Sequence, residues 1–447
     1  MNRIAAIRLK NIKNIKSYRG LLNRVIAFAS VVLIFATCYL SKGDDWIGWR
    51  GPDRDGICKE KGLALGATEP KMLLEFEGVG TGYSSVSIVG NRLYTLGDLA
   101  GEDGAKSQYL ICVDIETKKK LWQIKIGSPH QDGSRGTPTI DGNLVFALGT
   151  EGDLVCVEAE TGKLVWKVNL VKDLGGKMMS GWKFSESPLV DGDRVVITPG
   201  TKDAAIAALD KKTGKVLWKT QLPNIGNKGA DGAGYSSIVI SKACGIKQYV
   251  QILGRGCIGV AADDGRFLWG YNRVANNVAN IPTPVVFGDY VFCSTAYETG
   301  SALLRLVPDG DNKIKVEEVY WLDSNTFQNH HGGFVKVGDF IYGGHGQNKG
   351  DPVCIEFITG KTRWKEKQPA GGSAAVLYAD GTLIFRYDDG TVCFIDANPD
   401  AFKIKGQFKP QRKPGMSGPA WAHPVISNGK LYLRHNNVIQ CFDVKAK

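Results

Sequence analysis

The sequence has no phosphate-binding glycine loop of the P-loop or dinucleotide type and no Ser-His-Asp spacing, so no motif in it points to nucleotide binding or triad hydrolysis. Charge of one sign is also lacking over most of the chain. The formal net charge is +11, but residues 1–24 hold Arg3, Arg8, Lys10, Lys13, Lys16, Arg19 and Arg24 with no acid among them. Setting those seven charges aside leaves +4 for the rest, where Lys and Arg are interspersed with acids as on an ordinary solvated surface. A basic nucleic-acid-binding face is thereby excluded. Long hydrophobic runs are scarce too. The one that stands out, Val25–Leu40 (VIAFASVVLIFATCYL), is shorter than the roughly 20 residues of a membrane span.

A basic segment followed by a short apolar run is the pattern of a secretory signal. Residues 1–24 read as a basic n-region, 25–41 as a signal peptide or membrane anchor, and 42–70 as an N-terminal extension. Ala36-Thr37-Cys38 offers small residues for cleavage, and Cys38 is a candidate for lipidation, so cleavage, anchoring and lipidation are three alternatives. The expected location is periplasmic or secreted, with membrane contact only through this segment.

Ten cysteines in an exported chain invite a disulfide framework, but no two of them are adjacent. Cys112, Cys156, Cys354 and Cys441 each lie two residues before an acid of a repeated motif, and Cys393 lies three before Asp396. Equivalent positions in different repeats are too far apart to bond, so the cysteines are expected as buried small hydrophobes.

What the sequence has in excess is glycine and a tryptophan repeat. Its 56 glycines exceed the usual share of about 7% and point to many tight turns. Trp122, Trp166, Trp218, Trp269, Trp321 and Trp364 recur at intervals of 44, 52, 51, 52 and 43 residues. Most are preceded by one string: VDIETKKKLW, VEAETGKLVW, LDKKTGKVLW, the shortened ADDGRFLW, and IEFITGKTRW; the Trp321 copy keeps only VYW. An alternating strand runs into an acid, a Thr-Gly turn reverses the chain, and a second strand carries the Trp. Glycine supplies the positive φ of the reversal, and the indole is large enough to wedge between neighbouring sheets. Each repeat opens with a hairpin whose turn is Gly90-Asn91, Asp141-Gly142-Asn143, Asp191-Gly192-Asp193, Gly288-Asp289, Gly338-Asp339, Asp380-Gly381 or Asn428-Gly429. A unit of about 45 residues with four short strands has the size of a propeller blade.

Seven blades begin near Tyr83, Arg135, Ser185, Tyr235, Ile281, His330 and Gly371, and an eighth at Trp421 has three strands before the chain stops. Met72–Gly78 (MLLEFEG) is expected to supply its fourth and so remove the open edges of the ring. The expected fold is all-β: an eight-bladed β-propeller of four-stranded antiparallel blades over residues 71–447, the last blade closed by an N-terminal strand.

The turn string resembles the tryptophan-docking repeat of the pyrroloquinoline-quinone (PQQ) propeller superfamily, over roughly residues 46–447. Asp45–Gly56 (DWIGWRGPDRDG) and Trp421–Arg434 (WAHPVISNGKLYLR) resemble a branch of secreted bacterial PQQ-like repeat proteins. The resemblance implies either a BamB-like, non-enzymatic scaffold or a quinoprotein oxidoreductase. The quinoprotein dehydrogenases usually stack an adjacent-cysteine disulfide on the cofactor, hold Ca²⁺ with acids and amides, and use a catalytic Asp. This sequence has no Cys-Cys pair and no matching Asp-rich loop. The expected function is an extracytoplasmic ligand-binding or protein-interaction scaffold. The alternative is a PQQ-dependent oxidoreductase resembling alcohol or polyvinyl-alcohol dehydrogenases, for which PQQ with Ca²⁺ would be the cofactor. Expected partners are other envelope proteins or a small-molecule or polymer ligand, with the propeller itself monomeric and no nucleic acid bound.

In a propeller the loops entering the innermost strands gather at one mouth. In register they read Ser84, Thr137, Ser187, Ser236, Thr283, Gly332, Ser373 and His423. The small hydroxyl residues are expected to bond local backbone. The larger groups on these loops are the candidate ligand site: Tyr83, Arg135, Trp182, Lys183, Glu186, Tyr235, Asn277, His330, His331 and His423. Arg135 and Lys183 could together hold an anion such as a quinone carboxylate. His330 and His331 are adjacent, so on a strand only one of them could face the channel, and no metal site is assigned.

Overall fold

Each repeat folds as its pattern dictates, as a four-stranded meander. Blade 2 is typical: Thr139–Asp141, Leu144–Leu148, Asp153–Glu158 and Leu164–Asn169 pair in that order, from the axis outward. Its first hairpin turns at Gly142, whose φ of 60° suits glycine. The two middle strands are apolar and buried on both faces, because each blade is sandwiched between two others. The outer strand is partly exposed.

The computed structural model describes residues 45–66, 69–310 and 313–446. They form eight such antiparallel sheets, blades 1 to 8, in an all-β propeller ring. The readings made of residues 1–41, including lipidation at Cys38, lie outside the described residues. Among the described residues no helix is long and apolar enough to cross a membrane.

The hydrophobic core is divided into wedges between blades. Leu96, Leu110 and Ile126 of blade 1 pack on Ile140, Val145 and Val157 of blade 2. Phe146, Leu154 and Trp166 of blade 2 pack on Val195, Ala207 and Leu209 of blade 3, and the pattern continues round the ring. Cys112, Cys156, Cys257, Cys354, Cys393 and Cys441 are buried thiols on third strands within these wedges.

The ring closes as expected. Lys71–Glu77 pairs antiparallel with Val438–Asp443 from Lys71 opposite Asp443 to Glu77 opposite Val438, completing blade 8. A buried arginine seals the seam with blade 1. The Arg434 guanidinium donates to Ser84 O (3.1 Å), Thr95 Oγ1 (2.6 Å) and Gly80 O (3.0 Å), and its Nε donates to Asn436 O (2.9 Å). Burial lowers its pKa to about 9, so it is charged at neutral pH and its charge is solvated by backbone carbonyls.

Tryptophans of blades 1 to 3 dock on the next blade through the glycine of its last hairpin turn. Trp122 stacks on Gly162 of blade 2, Trp166 on Gly214 of blade 3, and Trp218 on Gly265 of blade 4. The indoles of Trp122, Trp166 and Trp364 donate to carbonyls of the following blade, at Ala159, Lys211 and Asn398 (3.3, 2.9 and 2.9 Å). Trp269 differs: its indole donates to Gln248 Oε1 in its own blade (2.6 Å).

Trp321 is not the docking residue of blade 5. The bulge that places Trp122 opposite Cys112 and Trp364 opposite Cys354 places Tyr320 opposite Leu303. Tyr320 lies against Gly360 of blade 6 and donates to Phe357 O (2.8 Å), while Trp321 sits under the guanidinium of Arg273, 4.3 Å from its ring centre. A period read from Trp alone misplaces the docking position by one residue where an aromatic neighbour has taken the role.

The N-terminal extension does more than precede the ring. Trp46 bridges Ile88 of blade 1, Ile47 O accepts from Ile140 N of blade 2, and Arg54 donates to Ser187 O and Pro188 O before blade 3 (2.7 and 3.0 Å). Arg50 donates to Phe334 O of blade 6 (2.6 Å), and Ile57–Cys58 adds a parallel strand to the inner edge of Ala374–Ala379 in blade 7. Asp45–Cys58 therefore lies along the axis and fills the channel that the innermost strands surround.

Two predictions test the docking rule. Gly214 has φ 70° and a Cβ there would lie 2.8 Å from the Trp166 ring. Gly214→Ala is expected to cost about 2 kcal/mol or more, about 1–2 of it from the left-handed backbone alone, read as a lower urea midpoint. Tyr320→Ala is expected to destabilise by about 3 kcal/mol, the usual range for truncating a packed aromatic, and by more than Trp321→Ala in the same assay.

Candidate functional site

The loops ahead of each first strand are held by bonds from one blade to the next, so they form a rigid rim. Ser134 O accepts from Tyr83 N (2.7 Å) and Ser84 N (3.1 Å). Ser187 Oγ accepts from Thr137 N (2.9 Å), and Ser237 Oγ accepts from Ser187 N (3.0 Å). The hydroxyls of Ser84, Thr137, Ser187 and Ser237 bond backbone, whereas Thr283 and Ser373 meet the side chains of Trp49 and His330.

The larger side chains of the same loops enclose a cavity of about 300 Å³ at the mouth. Its wall includes Tyr83, Arg135, Trp182, Tyr235, His330, His331 and His423, seven of the ten candidate residues. The channel segment provides Trp49, whose indole donates to Thr283 Oγ1 (3.0 Å), and Arg50. Since that segment fills the axis beneath, the cavity is blind and not a through-channel.

The wall is mostly aromatic. Ring centres of His330 and His331 lie 4.4 Å apart, those of His331 and Trp421 4.6 Å, of Tyr83 and Trp421 4.8 Å, and of Trp49 and His423 4.6 Å. Trp182 stands edge-on to Tyr235 at the rim and is 41% exposed, the least protected tryptophan in the ring's mouth. Tyr297 Oη and His330 Nε2 are hydrogen-bonded at 2.9 Å, and His423 Nε2 lies 3.3 Å from His331 O.

The histidines are held neutral. Burial lowers the pKa of His330 to about 4 and that of His423 to about 3, and it drives His331 well below the usual imidazole range. Among the lining residues the only carboxylate is Asp132, and it pairs with Arg135 at 2.7 Å. Arg135 also donates to Trp182 O and so ties the Trp182 loop to the rim.

Three candidate residues stand elsewhere. Lys183, at φ 64° in the turn after Trp182, points to Glu151 (3.1 Å) and leaves the wall, so it forms no joint anion site with Arg135. Glu186 is buried beneath the loops, where it accepts from Thr198 N and Oγ1 (both 2.8 Å) and Gln251 Nε2 (3.1 Å); burial raises its pKa to about 8. Asn277 is exposed outside the cavity. The expectation that only one of His330 and His331 could face the channel is also corrected. Both precede strand Phe334–Val337 in a bend, with Gly333 at φ 68°, so strand alternation does not apply and both line the wall.

Among the larger lining side chains, Trp49, Arg50, Asp132, Tyr297 and Trp421 were not among the candidates, although Trp421 stands on a loop placed at the mouth. Tyr297 sits in the turn between Tyr290–Thr295 and Gly300–Pro308. Up-and-down strand alternation brings every second-to-third-strand turn to the same mouth as the entering loops, a signal available from the repeat. Trp49 and Arg50 had no such signal, because they belong to no blade. Among the described residues no group of three or more His, Cys, Asp or Glu side chains is placed to hold a metal ion.

Eight four-stranded blades, several of them docked through an aromatic ring on a glycine turn of the next, around a mouth of divergent loops define a PQQ-like β-propeller. The family model described as "Outer membrane protein assembly factor BamB" matches residues 106–356, more than half of the chain, and the chain belongs to that family. It is 26% identical over 418 residues to the outer membrane protein assembly factor BamB of Burkholderia pseudomallei, covering 82% of this chain and 96% of that one. Among solved structures, BamB from Moraxella catarrhalis is similar with a TM-score of 0.58 at 15% identity, over 85% of this chain and 99% of that one. The quinohemoprotein alcohol dehydrogenase of Comamonas testosteroni is similar with a TM-score of 0.61 at 12% identity, over 92% of this chain and 82% of that one. A europium-containing methanol dehydrogenase has the same TM-score, 0.61, at 11% identity, over 88% of this chain and 90% of that one. At these identities the structural likenesses show the fold alone.

The neutral histidines make a pH prediction. In the unfolded chain they titrate near 6.5, whereas His330 and His423 take up protons in the fold only near pH 4 and 3. Below about pH 6.5 the unfolded chain therefore binds protons that the folded chain refuses, and stability falls with pH. Urea midpoints are expected to drop between pH 6.5 and 4, with a shallower slope in the His330→Asn/His423→Asn double variant.

Proposed function

We propose that this chain is a BamB-like propeller acting outside the cytoplasm as a ligand-binding or protein-interaction scaffold, with the mouth cavity as its binding site. One observation carries the reading: seven polar or aromatic side chains from the loops of six blades converge on a blind, aromatic-walled cavity floored by the chain's own N-terminal segment. A concavity of that make is a ligand site by default, since nothing in the docking of the blades requires it. The extracytoplasmic location rests on the basic-then-apolar start of the sequence. The name of the Burkholderia relative, an outer membrane assembly factor, supports other envelope proteins as partners.

The alternative, a PQQ-dependent oxidoreductase, draws support from likeness to the two dehydrogenases, but a shared fold does not carry chemistry. A Ca²⁺ ion takes about 6–8 oxygen ligands, carboxylates prominent among them. The cavity wall has the single carboxylate Asp132, already paired with Arg135, and no Asn or Gln side chain. These residues do not fit a Ca²⁺–quinone pair.

The purified chain is to be screened by thermal shift against a small-molecule library and, separately, titrated with PQQ and Ca²⁺ in the presence of an alcohol panel and a redox dye. The expected result is a Tm rise with at least one library compound that is lost in Trp421→Ala, with neither stoichiometric PQQ binding nor dye reduction. Stoichiometric PQQ binding with turnover would overturn the scaffold reading, and so would a library without a single mouth-dependent hit.

A further inference from the structure

We infer that the mouth cavity takes a small monocarboxylate with a flat apolar body, its carboxylate set against the Arg50 guanidinium and its body against the rings of the wall. The inference rests on the ligand-site reading above and adds the sign of the ligand's charge, its number of charges and the residue that meets it.

Arg50 joins the wall from the channel segment and is 5% exposed. Burial lowers its pKa only to about 10, so it is charged at neutral pH. Its Nη2 donates to Phe334 O (2.6 Å) and Asp55 O (3.0 Å), two neutral carbonyls that anchor the segment. Asp55 is the acid whose field reaches Arg50, but its Oδ1 accepts from Ile57 N (2.9 Å), and among the described residues no carboxylate forms an ion pair with the guanidinium. Nη1 is buried and has no hydrogen-bond partner. A buried donor left unpaired is destabilising, and one that carries charge more so. Arg434 is the contrast: it is a buried guanidinium whose Nε, Nη1 and Nη2 all donate to oxygens.

The unpaired nitrogen stands at the cavity. Gly333 and His423 both line the wall, and a Cβ on Gly333 would run into Arg50 Nη1 and lie 3.5 Å from His423 Cε1. Two residues before Gly333, His331 Nε2 is a second buried nitrogen without a partner. A carboxylate accepts with both oxygens, and a neutral imidazole with its proton on Nε2 is a second donor at the same bend. Other buried nitrogens without partners, Arg54 Nε, Trp218 Nε1 and Arg386 Nε, belong to residues outside the wall.

The charge count limits the ligand to one anionic group. Arg135 and Asp132 cancel each other, and neither is assigned a ligand contact. The three histidines are uncharged at neutral pH because they are buried. One positive charge, that of Arg50, is therefore left among the lining residues. It repels a cation, and a neutral ligand leaves it unpaired. A polyacid, PQQ among them, would set its further carboxylates against rings, since Tyr83, Trp421, His331 and His330 follow one another around the wall at 4.4–4.8 Å between centres. Those rings suit a flat apolar body. The volume, about 300 Å³, lies at the small end of ligand pockets.

The test titrates the full-length chain calorimetrically with naphthoate, its neutral isostere naphthamide, the cation naphthylmethylamine and a naphthalene dicarboxylate. Expected is saturable binding of naphthoate, roughly tenfold or more tighter than naphthamide, as for a charge-assisted hydrogen bond against a neutral one. The dicarboxylate is expected to bind more weakly than naphthoate, and the amine not at all. Trp421→Ala is expected to abolish naphthoate binding, and in Arg50→Gln the affinities for naphthoate and naphthamide are expected to converge, each variant being checked for an unchanged near-ultraviolet spectrum and Tm. Should Arg50→Gln fail to fold, the ligand series on the wild-type chain decides. Equal affinity for naphthoate and naphthamide, a tighter dicarboxylate, naphthoate binding untouched by Trp421→Ala, or a naphthoate preference that survives Arg50→Gln would overturn the inference. If naphthoate does not bind while a neutral compound from the thermal-shift library still requires Trp421, the carboxylate class falls and the ligand site stands. If neither binds, both readings fall together.

Discussion

Closure of the ring is the constraint on which the rest depends. Eight sheets wound about an axis leave unpaired edges unless the last sheet is joined to the start of the chain. Lys71–Glu77 makes that join along Val438–Asp443, and Arg434 locks it to blade 1 through buried carbonyls. An eight-fold ring also leaves a hole along its axis that small hydroxyl residues on the inner strands do not fill. Because residue 71 must sit at the seam, the segment just before it is delivered to the ring and is free to enter the hole. Asp45–Cys58 does so, contacting six of the eight blades. The same stretch that plugs the channel supplies Trp49 and Arg50 to the cavity, so closure and site are parts of one arrangement.

Docking and recognition occupy different places and obey different rules. Between blades, an aromatic ring on a glycine turn recurs wherever the next blade has the turn, and the ring can be Tyr320 as well as Trp122 because only bulk and one donor are needed. At the mouth, each loop carries a different side chain, and those chains pack on one another across blades. The neutral histidines, the paired Arg135 and the buried Glu186 show the consequence: on these loops ionisable groups have been neutralised, matched or turned inward, leaving a wall dominated by rings beside the Arg50 guanidinium of the channel segment.

Much of this was legible in the primary structure. The hairpin turns, the repeat, the closing strand and the identity of the mouth loops followed from periodicity, since each depends on local spacing. Tyr83, Arg135, Trp182, Tyr235, His330, His331 and His423 were found because loop position in a repeat translates directly into place around a ring. Lys183 and Glu186 were misplaced because adjacency to Trp182 or Ser187 does not say which way a side chain turns; a positive φ at Lys183 and the demand of Thr198 and Gln251 for an acceptor decided that. Tyr297 was overlooked because only the entering loops were considered.

The sequence by itself determined the number of blades, their strand order and the join that closes them, because turn chemistry and alternation act over a few residues and repeat. Only the tertiary structure decided that Asp45–Cys58 fills the axis, that the cavity is blind, and that Arg135 pairs with Asp132. Those outcomes depend on contacts between residues as far apart as Trp49 and Thr283, or Arg50 and Phe334, which no local pattern encodes and which exist only once the ring has closed around them.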